Sequence, residues 1–559
     1  MKPGKDILLS TPGKESLPVL DEPSLHVIFG SRTGNSEAAA RLAHDFAVYL
    51  GIKSYLHNMK TIDFSKIQQM KNIMLAVSKH GEGDPPAVIE KFYEFIHSSD
   101  APSLKGTRFS VLALGDSSYK DFCRTGHDFR RRLQDLGSEE ISPLMECDID
   151  YEENAMNWVR EAVSAFETIL PKTGMRKKGE FAFGINKKDT GSSEVFYAKV
   201  KEIQLLTNPD FQKRTFHLVL SMDKFKTPFA PGDSFGIYAN NSRLLVDRLL
   251  KILKFDGTHA VNAGKSTKLL KEALISNFEI TVLTPLVVEK YAAITQSPKL
   301  MEFMSQRSDL ELYCESCDVL DLVTDFPAIV TPEVLVSVLR KLSPRLYSVA
   351  NSPHVFPHEV HFTVGLMEYS KNNRRHIGVC SNYFSDRISI GDSIPIILEV
   401  NESFRLTEDD STPVIMIATG TGIAPFRGFL QYRDYKGANG DSWLFFGDRH
   451  VESDFLYRSE MEDFMKRGVL TRLDTAFSRD QQQKIYVQHR MLQHSKEIFH
   501  WIHERGAEVY LCGNKRTMGK DVKDTLEKIV AGEGKFTRAQ AGKYLRNLKA
   551  SKKLKADLY

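Results

Sequence analysis

Two short glycine-bearing loops, each set between an apolar strand run and a helix, lie near opposite ends of this 559-residue chain. The first, Ser31-Arg32-Thr33-Gly34-Asn35, follows the run Leu25 to Phe29; the second, Gly420-Thr421-Gly422-Ile423-Ala424-Pro425-Phe426, follows Val414 to Ala418. A strand that turns tightly into a helix leaves unpaired backbone N–H groups at the helix start, where the helix dipole also favours a phosphate. Such units belong to parallel sheets whose ligands sit beyond the carboxyl ends of the strands. Two of them this far apart call for two separate α/β domains. The length, too great for one core, agrees with three or four compact units.

The patterning between the loops changes character. From Leu25 to about Ile169, strand-like runs (Leu25 to Phe29, Ile73 to Val77, Phe109 to Leu114) alternate with helical patterns (Ser36 to Leu50, Ala87 to His97, Asp128 to Leu136). This predicts a doubly wound parallel sheet over 25–170, preceded by a flexible leader over 1–24. Residues 171–193, rich in Lys and Gly, read as a flexible linker whose reach is roughly 25 Å root-mean-square. Short alternating runs over 194–241 and 344–407 suit an antiparallel barrel, interrupted by a helical insertion over 242–343. Strand and helix alternate again over 408–559.

The 75 Lys plus Arg nearly balance the 72 Asp plus Glu, so no bulk field favours nucleic acid or an anionic membrane as partner. No stretch reaches the roughly 18 apolar residues that span a bilayer, and the six scattered cysteines fit a reducing, cytoplasmic setting. Cys314 and Cys317 have metal-ligand spacing but no second pair, so they read as ordinary thiols and no metal is expected.

Ser31 to Asn35 alone fits either a monophosphate or a plain N-cap turn. Two further strand ends add weight: Ser78-Lys79-His80-Gly81-Glu82-Gly83-Asp84 and Leu114-Gly115-Asp116-Ser117-Ser118-Tyr119. Three such loops in register can surround one FMN, with Tyr119 flat against the ring. Phe122, Cys123 and Asp148 complete that candidate set. Asp84, Asp116, Asp121, Asp148, Asp150, Glu152 and Glu153 can form an acidic edge that steers a basic partner, although helix-surface solvation explains such acids equally well.

Arg345-Leu346-Tyr347-Ser348 joins a guanidinium able to grip a pyrophosphate to an aromatic face and a hydroxyl. With Gly378-Val379-Cys380-Ser381 at a helix start and Tyr369 available to stack on a ring, this group favours FAD. In the last segment Gly420, Thr421, Gly422 and Pro425 offer a dinucleotide loop. Downstream, Ser478, Arg479, Lys484, Tyr486 and Gln488, with Asp521 counted beside them, suit the 2′-phosphate of NADPH. Cys512, Asp557 and Tyr559 read, on the residues alone, as a buried thiol and a frayed terminus.

These motifs, in this order, resemble the NADPH-dependent diflavin reductases. The likeness is carried by Leu114 to Tyr119, Thr412 to Ile417, Gly422 to Arg427, Trp443 to Gly447 and the closing Asp557-Leu558-Tyr559. It implies a flavodoxin-like FMN domain, an FAD barrel with a helical connecting insertion, and a ferredoxin-reductase-like NADP domain. It also implies that Ser348, Cys512 and Asp557 form a hydride-transfer group and that Tyr559 covers the FAD ring. The expected partner is a haem or iron-sulfur acceptor protein, first among them a sulfite reductase hemoprotein subunit. A soluble cytochrome-type reductase and a slow flavin-bound sensor are the rival expectations.

Overall fold

Strand β1 (Leu25–Gly30) is buried at every position, as a strand covered on both faces must be. It lies inside a parallel sheet of order β2-β1-β3-β4-β5, with β2 Ser54–Asn58, β3 Asn72–Ser78, β4 Arg108–Leu114 and β5 Glu139–Glu140, while β6 (Met145–Cys147) pairs with β4. That is the flavodoxin-like order. Helices α1 (Asn35–Tyr49) and α4 (Glu152–Glu167) cover one face through Ala39, Ala43, Trp158 and Phe166. The other face takes α2 (Glu90–His97) and α3 (Arg124–Asp135) through Phe92, Ile96, Phe129 and Leu133.

The computed structural model describes residues 23–31, 34–78, 89–119, 121–172, 180–185, 194–264, 266–371 and 373–559. Contacts divide the chain into two compact units, Met1–Asp116 with Cys123–Ser192, and Ser117–Phe122 with Ser193–Tyr559. Among the described residues no helix is long and apolar enough to cross a membrane.

Of the expected linker over 171–193, residues 171–172 and 180–185 are described. Phe181, Phe183 and Ile185 pack on the core of the first unit. The rings of Phe181 and Phe183 lie 5.1 and 4.6 Å from Phe46, and Arg160 sits 4.4 Å over Phe183. Apolar residues at every second position make this strand-like attachment. Low apolar content over the longer window hides it.

The first unit also buries a histidine pair. His26 on β1 and His57 on β2 share a 3.0 Å Nδ1–Nε2 hydrogen bond, and Ser24 Oγ lies 3.1 Å from His26 Nε2. Burial lowers both pKa values to about 4, aided at His26 by His57 and at His57 by His44. The unfolded chain binds these protons near pH 6.5, so the stabilisation is present above that pH and is lost as pH falls toward 4. At pH 5 the loss is about 2 kcal/mol per histidine. Amide exchange in β1 and β2, corrected for intrinsic rates, should therefore accelerate between pH 7 and pH 5, and a His57→Gln variant should flatten that dependence.

In the second unit an antiparallel sheet has the order β12-β9-β16-β7-β8-β13: β7 Phe196–Leu205, β8 Thr215–Ser221, β9 Ser234–Ile237, β12 Arg345–Ser348, β13 Glu359–Gly365 and β16 Ser393–Glu399. One bridge, Val349 to Phe362, links the residue after β12 to β13 at the other end of the sheet. Between β9 and β12 comes the helical insertion, α5 (Arg243–Leu253) to α11 (Pro332–Val338), which also holds the small hairpin β10 (Ala260–Asn262) and β11 (Thr267–Leu269). It has its own core of Val246, Leu249, Leu274, Tyr291 and Leu322. A second hairpin, β14 (Glu368–Lys371) with β15 (Arg374–Ile377), leads into α12 (Val379–Asp386).

The last segment is a parallel sheet of order β19-β18-β17-β20-β21, with β17 Val414–Thr419, β18 Ser442–Asp448, β19 Arg472–Phe477, β20 Glu508–Gly513 and β21 Leu554–Leu558. Helix α13 (Ala424–Lys436) follows β17, α14 (Val451–Asp454) and α15 (Arg458–Lys466) follow β18, and α16 (Val487–Gln493) follows β19. The C-terminus is thus not frayed. Its last strand pairs with β20 in parallel register, setting Cys512 beside Asp557.

Candidate functional site

In the first unit β1, β3 and β4 are neighbours, so their three loops leave from one edge of the sheet. Gly30 is required there, because a Cβ would lie 1.8 Å from Ile89 Cγ2. Ser36 Oγ donates to Gly30 O at 2.7 Å and ties the first turn of α1 to the strand end, while Gly34 caps the helix at φ 83°. Asn35 is the first helical residue. Ser31 Oγ is buried without a hydrogen-bond partner among the described residues. An unpaired buried hydroxyl costs about 1–3 kcal/mol. A phosphate oxygen at this helix start would satisfy it, so the loop fits the phosphate of FMN.

Ser78 Oγ donates to Gly30 O at 3.4 Å, and Gly115 N donates to Cys147 O at 2.9 Å just after Leu114. Asp148 is buried and accepts from Ile149 N at 2.8 Å. Cys123 Sγ donates to Ala113 O at 3.1 Å, so its thiol serves the sheet. Tyr119 is 38 % exposed and, like Phe122, belongs to Ser117–Phe122. Arg32, Thr33, Lys79, His80, Gly81, Gly83 and Asp84 lie outside the described residues. Glu152 and Glu153 occupy the first turn of α4, where the helix dipole already accounts for them.

In the second unit Arg345 is held by an ion pair with Glu279, a buried acid of the insertion, and donates to Ser343 O at 3.1 Å. Burial raises the Glu279 carboxyl, but Arg345 and the Thr281 hydrogen bonds outweigh it and hold the pKa below the usual value. Leu346 points outward, 54 % exposed. The Tyr347 ring packs edge-on against Phe362 and Phe384 and its hydroxyl meets Cys380. Gly378 is the N-cap of α12, with Val379, Cys380 and Ser381 buried in its first turn, and Ser381 Oγ accepts from Met367 N at 3.1 Å. Tyr369 stacks on His376 at 4.8 Å and 5°. A backbone helix start beside a positioned arginine suits a diphosphate.

Three distant segments meet at the C-terminus. Ser348 Oγ donates to Asp557 Oδ2 at 3.0 Å, and Asp557 pairs across the sheet with fully buried Cys512. Burial and the adjacent carboxylate push the Cys512 thiol well above its ordinary pKa. Tyr559 is anchored by its amide to Gly513 O at 3.1 Å and by its hydroxyl to Thr421 Oγ1 at 2.6 Å. Gly422 packs directly on β20 in the same place, and Pro425 lies in the first turn of α13. Gly420 has φ 55°, and a Cβ there would stand 3.7 Å from both Asp448 Oδ2 and Lys213 Nζ.

Ser478 donates through its amide to Asp448 O at 2.9 Å, and Arg479 to Arg449 O at 2.9 Å, fixing the loop after β19. Arg479 and Lys484 are exposed, Tyr486 caps α16, and Gln488 Nε2 donates to Asp521 Oδ2 at 3.0 Å. A hydroxyl, two cations and a phenol are therefore within one loop and helix start, a donor set suited to a ribose 2′-phosphate.

Glu279, Lys213 and Asp448 escaped the reading of the sequence. Asp448 ends β18 right after Gly447, a strand-end acid that could have been noticed; nothing local marks the other two. Among the described residues one group has metal-ligand chemistry, Asp318, Asp321 and His376. Arg374 occupies it, with Nη2 2.6 Å from both Asp318 Oδ1 and Asp321 Oδ2.

Three family models match the chain: flavodoxin over 27–160, FAD binding domain over 188–383, and oxidoreductase NAD-binding domain over 416–524. Full-length similarity runs to the sulfite reductase (NADPH) flavoprotein alpha-component of Bacillus subtilis, 40 % identical over 545 residues, 95 % of this chain and 89 % of that protein. The proteins of the same description from Vibrio parahaemolyticus and Yersinia enterocolitica are each 35 % identical, covering 96 % and 98 % of this chain and 86 % and 92 % of their own lengths.

Proposed function

Because the chain belongs to the sulfite reductase (NADPH) flavoprotein alpha-component family, we propose that it draws electrons from NADPH through FAD and FMN and delivers them to a sulfite reductase hemoprotein. The observation that carries this reading is the meeting of Ser348, Cys512, Asp557 and Tyr559 at the dinucleotide loop. Bound, the nicotinamide supplies a hydride and the two flavins convert that two-electron input into single-electron output.

The chain's own residues do the positioning. Ser31, Gly34 and the start of α1 would hold the FMN phosphate, with the strand ends at Ser78 and Leu114 beside the ring. Arg345 and the α12 start at Gly378 hold the FAD diphosphate, and Tyr347 and Tyr369 flank its rings. Gly420 to Gly422 admit the dinucleotide, and Ser478, Arg479, Lys484 and Tyr486 grip its 2′-phosphate. Asp557 orients Ser348, burial together with Asp557 keeps the Cys512 thiol protonated, and Tyr559 would cover the flavin ring. Six unpaired cysteines go with a cytoplasmic setting.

The test is anaerobic mixing with NADPH, followed by addition of the purified hemoprotein subunit from the same organism. The reading requires rapid bleaching of the bound flavins and NADPH oxidation coupled to sulfide formation. Bleaching without sulfide, but with rapid reduction of another haem or iron-sulfur protein, would move the acceptor elsewhere. Slow or absent bleaching would overturn the reading. In the same assay Arg479→Ala with Lys484→Ala should erase much of the preference for NADPH over NADH, roughly tenfold per lost charge-assisted bond.

A further inference from the structure

Helix α13, which opens on the Gly420 loop, is fastened along one face to the stretch that follows β12. Arg427, 6 % exposed, donates from Nη1 to Ala350 O at 2.8 Å. The backbone of Gly428 comes so close that a Cβ would lie 3.0 Å from Asn351 O. One turn on, Gln431 Oε1 accepts from Ser352 N at 2.9 Å. Positions 427, 428 and 431 share a helix face, so this is one continuous seam.

Arg427 is also the hub of a buried polar cluster. Its Nη1 lies 3.2 Å from His361 Nδ1, its Nε donates to Glu460 Oε2 at 2.8 Å, and its guanidinium sits 4.9 Å over the Tyr457 ring. The Tyr457 hydroxyl is 2.9 Å from His217 Nδ1 on β8 and 2.7 Å from Thr363 Oγ1 on β13. His361 can accept from Arg427 only when Nδ1 is bare, with Nε2–H donated to Glu359 at 2.8 Å. Burial lowers its pKa to about 4, which keeps it neutral near pH 7. The cluster therefore joins β8, β13, segment 350–352, α13 and α15.

Ser348 is two residues before Ala350, and Thr421 and Gly422 shortly precede Arg427. We propose that Arg427, with Gly428 and Gln431, is a positioning residue: it locks the strand carrying Ser348 to the helix carrying the dinucleotide loop, and so sets the approach of nicotinamide to flavin. It acts through backbone register, in which an error of about 1 Å costs on the order of 100-fold in rate. This inference rests on the function proposed above.

The test uses full-length protein loaded with FAD and FMN, in wild-type form and as Arg427→Met, Arg427→Lys and Gly428→Ala. Three quantities are read: the limiting rate and half-saturation of flavin reduction by NADPH without oxygen, amide exchange at 348–352 in the same protein before NADPH is added, and the melting temperature. Arg427→Met and Gly428→Ala should lower the limiting rate by about tenfold or more, leave half-saturation within about twofold, and speed exchange at 350–352. Lysine should restore part of the rate, since one ammonium can reach Ala350 O but not His361 and Glu460 together.

A variant with full flavin content and a limiting rate within about twofold of wild type would overturn the proposal even if its melting temperature fell, because a merely structural role predicts that pattern. If Arg427→Met does not fold, Gly428→Ala, which retains every polar group, decides by the same criteria. Wild-type protein that NADPH fails to reduce would sink the functional reading and this inference with it. Normal wild-type reduction with unaffected variants sinks this inference alone.

Discussion

Gly422→Ala should all but abolish reduction of the bound flavins by NADPH while leaving flavin content unchanged. A methyl group at that position would lie 2.2 Å from the carbonyl oxygen of Cys512 and 2.6 Å from its carbonyl carbon. Both are backbone atoms of a strand hydrogen-bonded on two sides, so no rotamer change relieves the clash. The loop must move off β20, taking Thr421 and its bond to Tyr559 with it. A displacement of that size costs about 100-fold or more in hydride transfer. The flavin motifs lie on other segments and should keep their cofactors. Rapid mixing and flavin analysis check both halves, and near-normal reduction in the alanine variant would show that the loop is not the dinucleotide seat.

Asp557→Ala should lower the limiting rate of flavin reduction by about 100-fold with little change in NADPH half-saturation. The carboxylate accepts the Ser348 hydroxyl at 3.0 Å and stands beside the buried Cys512 thiol, so it fixes two groups at once. Fixed polar groups at a reacting centre are typically worth about 100- to 1000-fold in rate. A loss confined to the limiting rate identifies a group that acts where charge develops rather than on the distant 2′-phosphate. Asp557→Asn retains an acceptor for Ser348 but not the charge, and should fall between the two. Equal losses in rate and half-saturation would instead make Asp557 a binding residue. The Cys512 thiol, raised partly by this carboxylate, should become easier to ionise in the alanine variant; thiol titration of unfolding-resistant protein reads that direction.

Local pattern sufficed for much of the architecture. The runs Leu25 to Phe29, Ile73 to Val77 and Phe109 to Leu114 are strands because continuous apolar runs bounded by turn residues have few other buried solutions. The helical insertion and the final α/β sheet were legible for the same reason. The packing of Phe181, Phe183 and Ile185 on the first core was not foreseen, because their alternation spans only five residues inside a polar stretch. The C-terminal strand was misread because a terminus shows no partner in its own sequence; β20 supplies one.

The candidate site divides along the same line. The candidate phosphate loops announce themselves, since glycine, hydroxyl and helix start must be contiguous to bind a phosphate. Ser348 and Asp557, 209 residues apart, carried no mark of their pairing, and only the family likeness put them in one group. Neither that likeness nor periodicity pointed to the bond between Arg345 and Glu279, or to the Arg427 cluster.

What the amino-acid order determined by itself was the succession of strand–turn–helix units that carry the candidate cofactor loops, because strand, turn and helix start are set by neighbours a few residues apart. Tertiary structure alone decided which side chains meet within the second unit. Side chains such as Ser348, Cys512, Asp557 and Arg427 acquire their roles from partners brought near by strand register and helix packing, and those distances are settled by burial of whole faces rather than by any local preference.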